Sequence, residues 1–143
     1  MAIANLQETL LMYTLRKSDL LEEISNLNSQ KNIALAEQAD VNPLLSASRS
    51  EIRADFRRLF EESPELQDKY KDYTEIPEFE EEMNRIEAMY QEQLAEINNW
   101  ETQLDNQITT DSAELEEINA WIESFKSMLS SNIQDDFDLG LGN

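Results

Sequence analysis

The chain has no cysteine, no histidine and only three prolines, and its two glycines both fall within the last four positions. Each scarcity removes a class of structure. Without cysteine there is no disulfide, thiolate nucleophile or thiolate zinc site; without histidine there is no imidazole ligand and no histidine-based pH switch. Glycine is the usual residue for left-handed helix caps, tight hairpin turns and phosphate-cradling loops. Its absence from residues 1–139 excludes most glycine-built active sites and most β-hairpins. Nearly everything that remains can be helix.

Basic residues are also scarce. Against 31 acids there are 11 lysines and arginines, a net charge of −20 over 143 residues. Such a charge repels nucleic-acid phosphate and anionic lipid, so neither nucleic acid nor membrane is an expected partner. No stretch reaches the ~18 consecutive apolar residues of a membrane span. Residues Met1 to Glu8 lack the basic start, apolar run and small-residue cleavage site of a secretory signal. The expectation is a cytoplasmic protein, with signal-less export through a specialised secretion machine left open.

What the chain does have is regular apolar spacing. Ile3, Leu6, Leu10, Tyr13, Lys17, Leu20, Ile24, Leu27, Lys31 and Ala34 alternate three and four apart, which places them on one seam of a helix. This predicts a helix over residues 2–39, roughly 57 Å long at ~1.5 Å per residue. Leu11, Leu21 and Leu35 widen the stripe, as suits a helix with two neighbours rather than one. Lys17 and Lys31 interrupt the seam at equivalent positions. Either they set register, or their stems cover the seam while the ammonium groups reach water.

The prolines mark three helix starts. Asn42-Pro43 and Ser63-Pro64 are cap-then-proline pairs, and Thr74 precedes Ile76-Pro77 more loosely. They predict helices over 43–62 and 64–73, followed by a long one over 77–108 with Phe79, Met83, Ile86, Tyr90, Leu94, Ile97, Trp100, Leu104 and Ile108 on its stripe. The polar run Thr109-Thr110-Asp111-Ser112 is richer in caps than in helix formers. It predicts a break, with Thr110 or Asp111 as the cap and Glu114 completing a capping box from Asp111 for a last helix over 112–131; the other reading is one helix running through with a discontinuity in its seam. Residues 1–133 then form a single helical domain, and residues 134–143, acidic and holding both glycines, form a flexible tail. The fold class is all-α, an elongated antiparallel helical hairpin or bundle with coiled-coil seams.

No constellation points to catalysis or to a bound cofactor. Nucleophilic serines have no histidine or cysteine beside them, and a di-metal carboxylate bundle needs histidine. The run Glu78, Glu80, Glu81 and Glu82 spreads around a helix instead of converging on a cation. Arg49, Arg53, Arg57 and Arg58 make the one basic stripe. They are expected to pair with the chain's own second half, since residues 77–143 hold 17 acids and 2 bases, or with Glu61 and Glu62 one turn on; an acidic partner or a phosphate is the other use of such a stripe.

The expected function is therefore binding to other proteins through helix–helix packing, as a structural or adaptor subunit of a larger assembly or as a homo-oligomer. The alternative is an acidic holding or export chaperone for a helical client. Candidate contact residues are Leu10, Tyr13, Leu20, Ile24 and Leu27 on the first seam, Tyr70 and Tyr73 in the short charged segment, and Phe137 and Leu139 in the tail. The last two resemble in character short acidic-hydrophobic peptides that dock into grooves; equally, they can be incidental apolar residues of a solubilising end.

Overall fold

The computed structural model describes residues 2–141, with side-chain environments through Asp138. It contains two long helices, α1 (Ile3–Glu62) and α3 (Pro77–Leu141), with a short helix α2 (Pro64–Lys69) and a single 3₁₀ turn (Tyr73–Glu75) between them. No strand occurs among the described residues. The fold is an all-α helical hairpin in which α1 packs against α3. The chain divides into two compact units, residues 1–31 with 103–143 and residues 32–102.

In the second unit the chain reverses direction without glycine, and no described residue adopts a positive φ. Side chains close the helix ends instead. Gln67 donates its side-chain amide to the carbonyls of Phe60 and Glu61, both at 3.0 Å, satisfying acceptors that the end of α1 leaves open. The Ser63 hydroxyl accepts from the Leu66 N–H and Pro64 takes the first position of α2, where its missing N–H costs nothing. The Asp72 carboxylate accepts from the Tyr73 N–H and the Thr74 hydroxyl. Ile76 is extended, as the residue before proline prefers, and Pro77 opens α3. The segment expected as one helix over 64–73 is thus a shorter helix and a 3₁₀ turn. Phe79 meets both Phe56 and Tyr73 edge-on, at 5.5 and 5.4 Å.

The expected start at Pro43 is not one, because α1 runs through it. Proline inside a helix costs about 3 kcal/mol. Val41 and Leu45, on either side, are buried, and fully burying a side chain of that size contributes about 1.5–3 kcal/mol. The inward positions 34, 38, 41, 45, 48 and 52 keep the three-four alternation across the proline. A break would move every later one off the stripe. Hydrogen bonds from Gln38 to Asn98 (3.0 Å) and between Ser48 and Tyr90 (3.1 Å) join α1 to α3 within this unit.

The first unit carries a second correction. Residues 109–112 do not interrupt α3, and the presumed caps are absorbed. The Thr110 hydroxyl bonds back to the Asn106 carbonyl, an alternative to capping open to threonine. Asp111 turns inward and is 3 % exposed. A cap contributes about 1 kcal/mol, whereas continuing the helix keeps Leu115, Ile118 and Ile122 on the stripe of Leu104 and Ile108. Residues 134–141, expected as a tail outside the fold, continue α3, with Gln134 donating to Asp138 one turn on. Nothing from Pro77 to Asp138 breaks a helix, so the helix propagates.

The core of this unit is Leu20, Ile118 and Ile122, with Leu10, Tyr13 and Leu115 packed around them. Tyr13 stacks on Phe125 at 5.6 Å. Lys31 both lies over the seam, half-buried, and places its Nζ 2.6 Å from Asp105.

Candidate protein-binding groove

The first-seam residues expected to meet a partner are engaged within the chain. Leu20 is fully buried against α3, with Leu10 and Tyr13 packed beside it, and Ile24 and Leu27 are half-buried on the same stripe. Leu20, with no exposed surface, cannot also present itself to another protein, whereas Tyr13 is only half-buried. Tyr73 is likewise held, by Phe79 and by the Arg57 guanidinium 5.5 Å above its ring, and Tyr70 lies under Lys69. Phe137 is 60 % exposed. The Leu139 side chain lies outside the described residues.

The surface left over is more informative. In α1 the run Leu10-Leu11-Met12-Tyr13 with Leu15 is apolar right around the helix, and only part of it is covered. Leu11 and Leu15 are more than half exposed and Met12 is 70 % exposed. Leu21 and Leu35, which widen the stripe, are exposed too. Helices that are apolar all round belong in interiors.

On one flank this run forms a wall of a groove of about 580 Å³. Thr9, Met12, Tyr13 and Arg16 come from α1, and Glu114, Glu117, Ile118 and Trp121 from α3. Both sets have the spacing i, i+3, i+4, i+7, one face of each helix. Tyr13 and Ile118 belong to the core below, while Met12 and Trp121, the latter 46 % exposed, are open to solvent. Trp121 leans on Phe125 at 6.1 Å, which limits its freedom. Arg16 grips Glu114 with two hydrogen bonds, Nε to Oε1 at 3.0 Å and Nη2 to Oε2 at 2.9 Å, a fork geometry that fixes both side chains.

Charges elsewhere are used locally. Arg49 reaches Glu87 on α3 at 3.1 Å and Arg58 pairs with Asp55, so these members of the basic stripe face the chain's own acids. The Arg85 guanidinium beside Glu82 holds that carboxyl below its ordinary range. No group of acids among the described residues converges as a metal site would, and no described helix is long and apolar enough to cross a membrane. Comparison with known protein families, characterised proteins and solved structures gives no match.

Proposed function

We propose that this protein is a non-enzymatic helical adaptor or structural subunit that works by packing its hairpin against helices of other proteins. The observation that carries this reading is the run of residues 10–15, apolar on every side of α1 while α3 covers one side of it. The exposed remainder would be stabilised by a further helix completing a coiled-coil-like bundle. The high negative charge keeps such a surface soluble before the partner arrives.

Photo-crosslinking in the native cell tests this. A photoreactive residue at Leu11 or Leu15 is expected to yield discrete crosslinked proteins that the same residue at exposed Gln30 does not. Equal yields from all three positions would sink the proposal.

A second reading has its own support. Met12, Met89 and Met128 are among the exposed apolar side chains, and methionine's flexible thioether adapts to varied partners. A holding chaperone for helical clients would use that property. It would suppress aggregation of several unrelated helical proteins, where an adaptor would bind one.

A further inference from the structure

Resting on that reading, we infer that the groove between Met12 and Trp121 receives one amphipathic helix whose flanks carry lysine or arginine. The groove has the chemistry of a helix seat: one face from each of two antiparallel helices, an apolar floor at Tyr13 and Ile118, and on its rim a tryptophan held against Phe125. An incoming helix laid along it would present apolar side chains at i, i+3, i+4 and i+7. Trp121 and Met12 would then become buried, and a tryptophan desolvated in this way is a frequent energetic anchor of an interface.

Charge selects the occupant. Of the three ionic side chains lining the groove, Arg16 is already matched by Glu114, and Glu117 adds a second carboxylate. Residues 103–143, which supply the α3 wall, hold nine acids and one base, Lys126. A second copy of this chain would bring another −20 to the contact and be repelled on approach. A helix flanked by lysine or arginine would be drawn in and held in register by Glu117.

Fluorescence anisotropy with the full chain and labelled peptides of about 18 residues, long enough to form helix, tests the inference at about 0.15 M salt, where long-range attraction is screened. Three probes are needed: a leucine–lysine amphipathic helix, its leucine–glutamate counterpart, and a scramble of the first with no apolar face. The lysine helix should bind at least about tenfold more tightly than either of the others, a difference of ~1.4 kcal/mol. Met12→Asp and Trp121→Ala should each weaken it about tenfold, Glu117→Lys should weaken it and strengthen the glutamate helix, and Leu44→Asp in the other unit should change nothing. All four sites are exposed, and helicity measured by circular dichroism confirms that the variants fold.

Binding that ignores Met12→Asp and Trp121→Ala overturns the groove assignment and leaves the wider helix-packing reading standing. Self-association in sedimentation that Met12→Asp abolishes makes a second copy the occupant, which also overturns it. If neither amphipathic probe binds and the chain stays monomeric, the inference and the reading beneath it fall together.

Discussion

Gln107 donates its side-chain amide to Asp111 one turn further along α3, at 2.9 Å, and this is the hydrogen bond that the buried carboxylate receives on Oδ1. Among the described residues its other oxygen, Oδ2, has no partner. A carboxylate thus occupies a seam position between Ile108 and Leu115, where every neighbour along the stripe is apolar. A buried polar atom without a partner costs about 1–3 kcal/mol, and more when charged.

Asp111→Leu should therefore stabilise the protein by about 1–3 kcal/mol, raising Tm by several degrees. Asp111→Asn should fall between the two, because the amide retains a polar atom and loses the charge. Urea and thermal denaturation read both. A leucine variant less stable than the wild type would mean that Oδ2 has a partner and the residue helps hold the hairpin.

Pro43→Ala should also stabilise, by about 2 kcal/mol. Alanine restores the N–H that the Ala39 carbonyl can accept and removes the ring clash, while the greater freedom of the unfolded chain takes back ~0.4–1 kcal/mol. If the helix ended before residue 43, proline would sit in a first turn where alanine gains nothing. An unchanged denaturation midpoint would place a helix start there after all.

Two apolar residues eight apart on α1 should respond very differently. Leu20→Ala opens a cavity in the core formed with Ile118 and Ile122 and should cost about 2–5 kcal/mol. Met12→Ala, at an exposed rim position, should stay within about 0.5 kcal/mol of wild type. Similar losses would show that the groove is closed in the free protein and could not receive a helix.

Glu82 should titrate below the ordinary 4.5, because its hydrogen bond to Arg85 favours the ionised form. With the folded value depressed, the pair's small contribution is present above the unfolded value and lost as pH falls through the folded one. In an NMR titration, Arg85→Met should move the Glu82 midpoint upward. Both side chains are open to solvent, which screens the pair and keeps the effect on Tm near zero.

Much of the fold was legible in the residue order. Each of the ten seam residues from Ile3 to Ala34 is buried or half-buried, as is each of the nine from Phe79 to Ile108. Spacing of three and four depends only on helical geometry, so it survives without knowledge of any neighbour. Proline and cap signals located the reversal between α1 and α3 for a similar reason, since they act through local backbone groups. The same signals misled at Pro43 and at Thr109-Thr110-Asp111-Ser112. There, local preferences of ~1–3 kcal/mol oppose the burial of several side chains on the continuing stripe. The alternation through 34, 38, 41, 45 and 108, 111, 115 was readable as a counter-signal, provided a polar residue was allowed on the seam.

The sequence by itself determined that this chain is helical, acidic and striped, and where it turns, because periodicity, charge and proline stereochemistry are local or additive properties. Tertiary structure alone decided which apolar residues were left over. Leu10 and Tyr13 differ little in character from Leu11 and Met12, yet packing against α3 half-buries the first pair and leaves the second exposed. The groove depends on Met12 and Trp121, 109 positions apart in the chain, coming to line one cleft. That proximity is a product of the antiparallel register between α1 and α3, a non-local relation set by the summed burial of the whole seam, and no spacing within either helix encodes it.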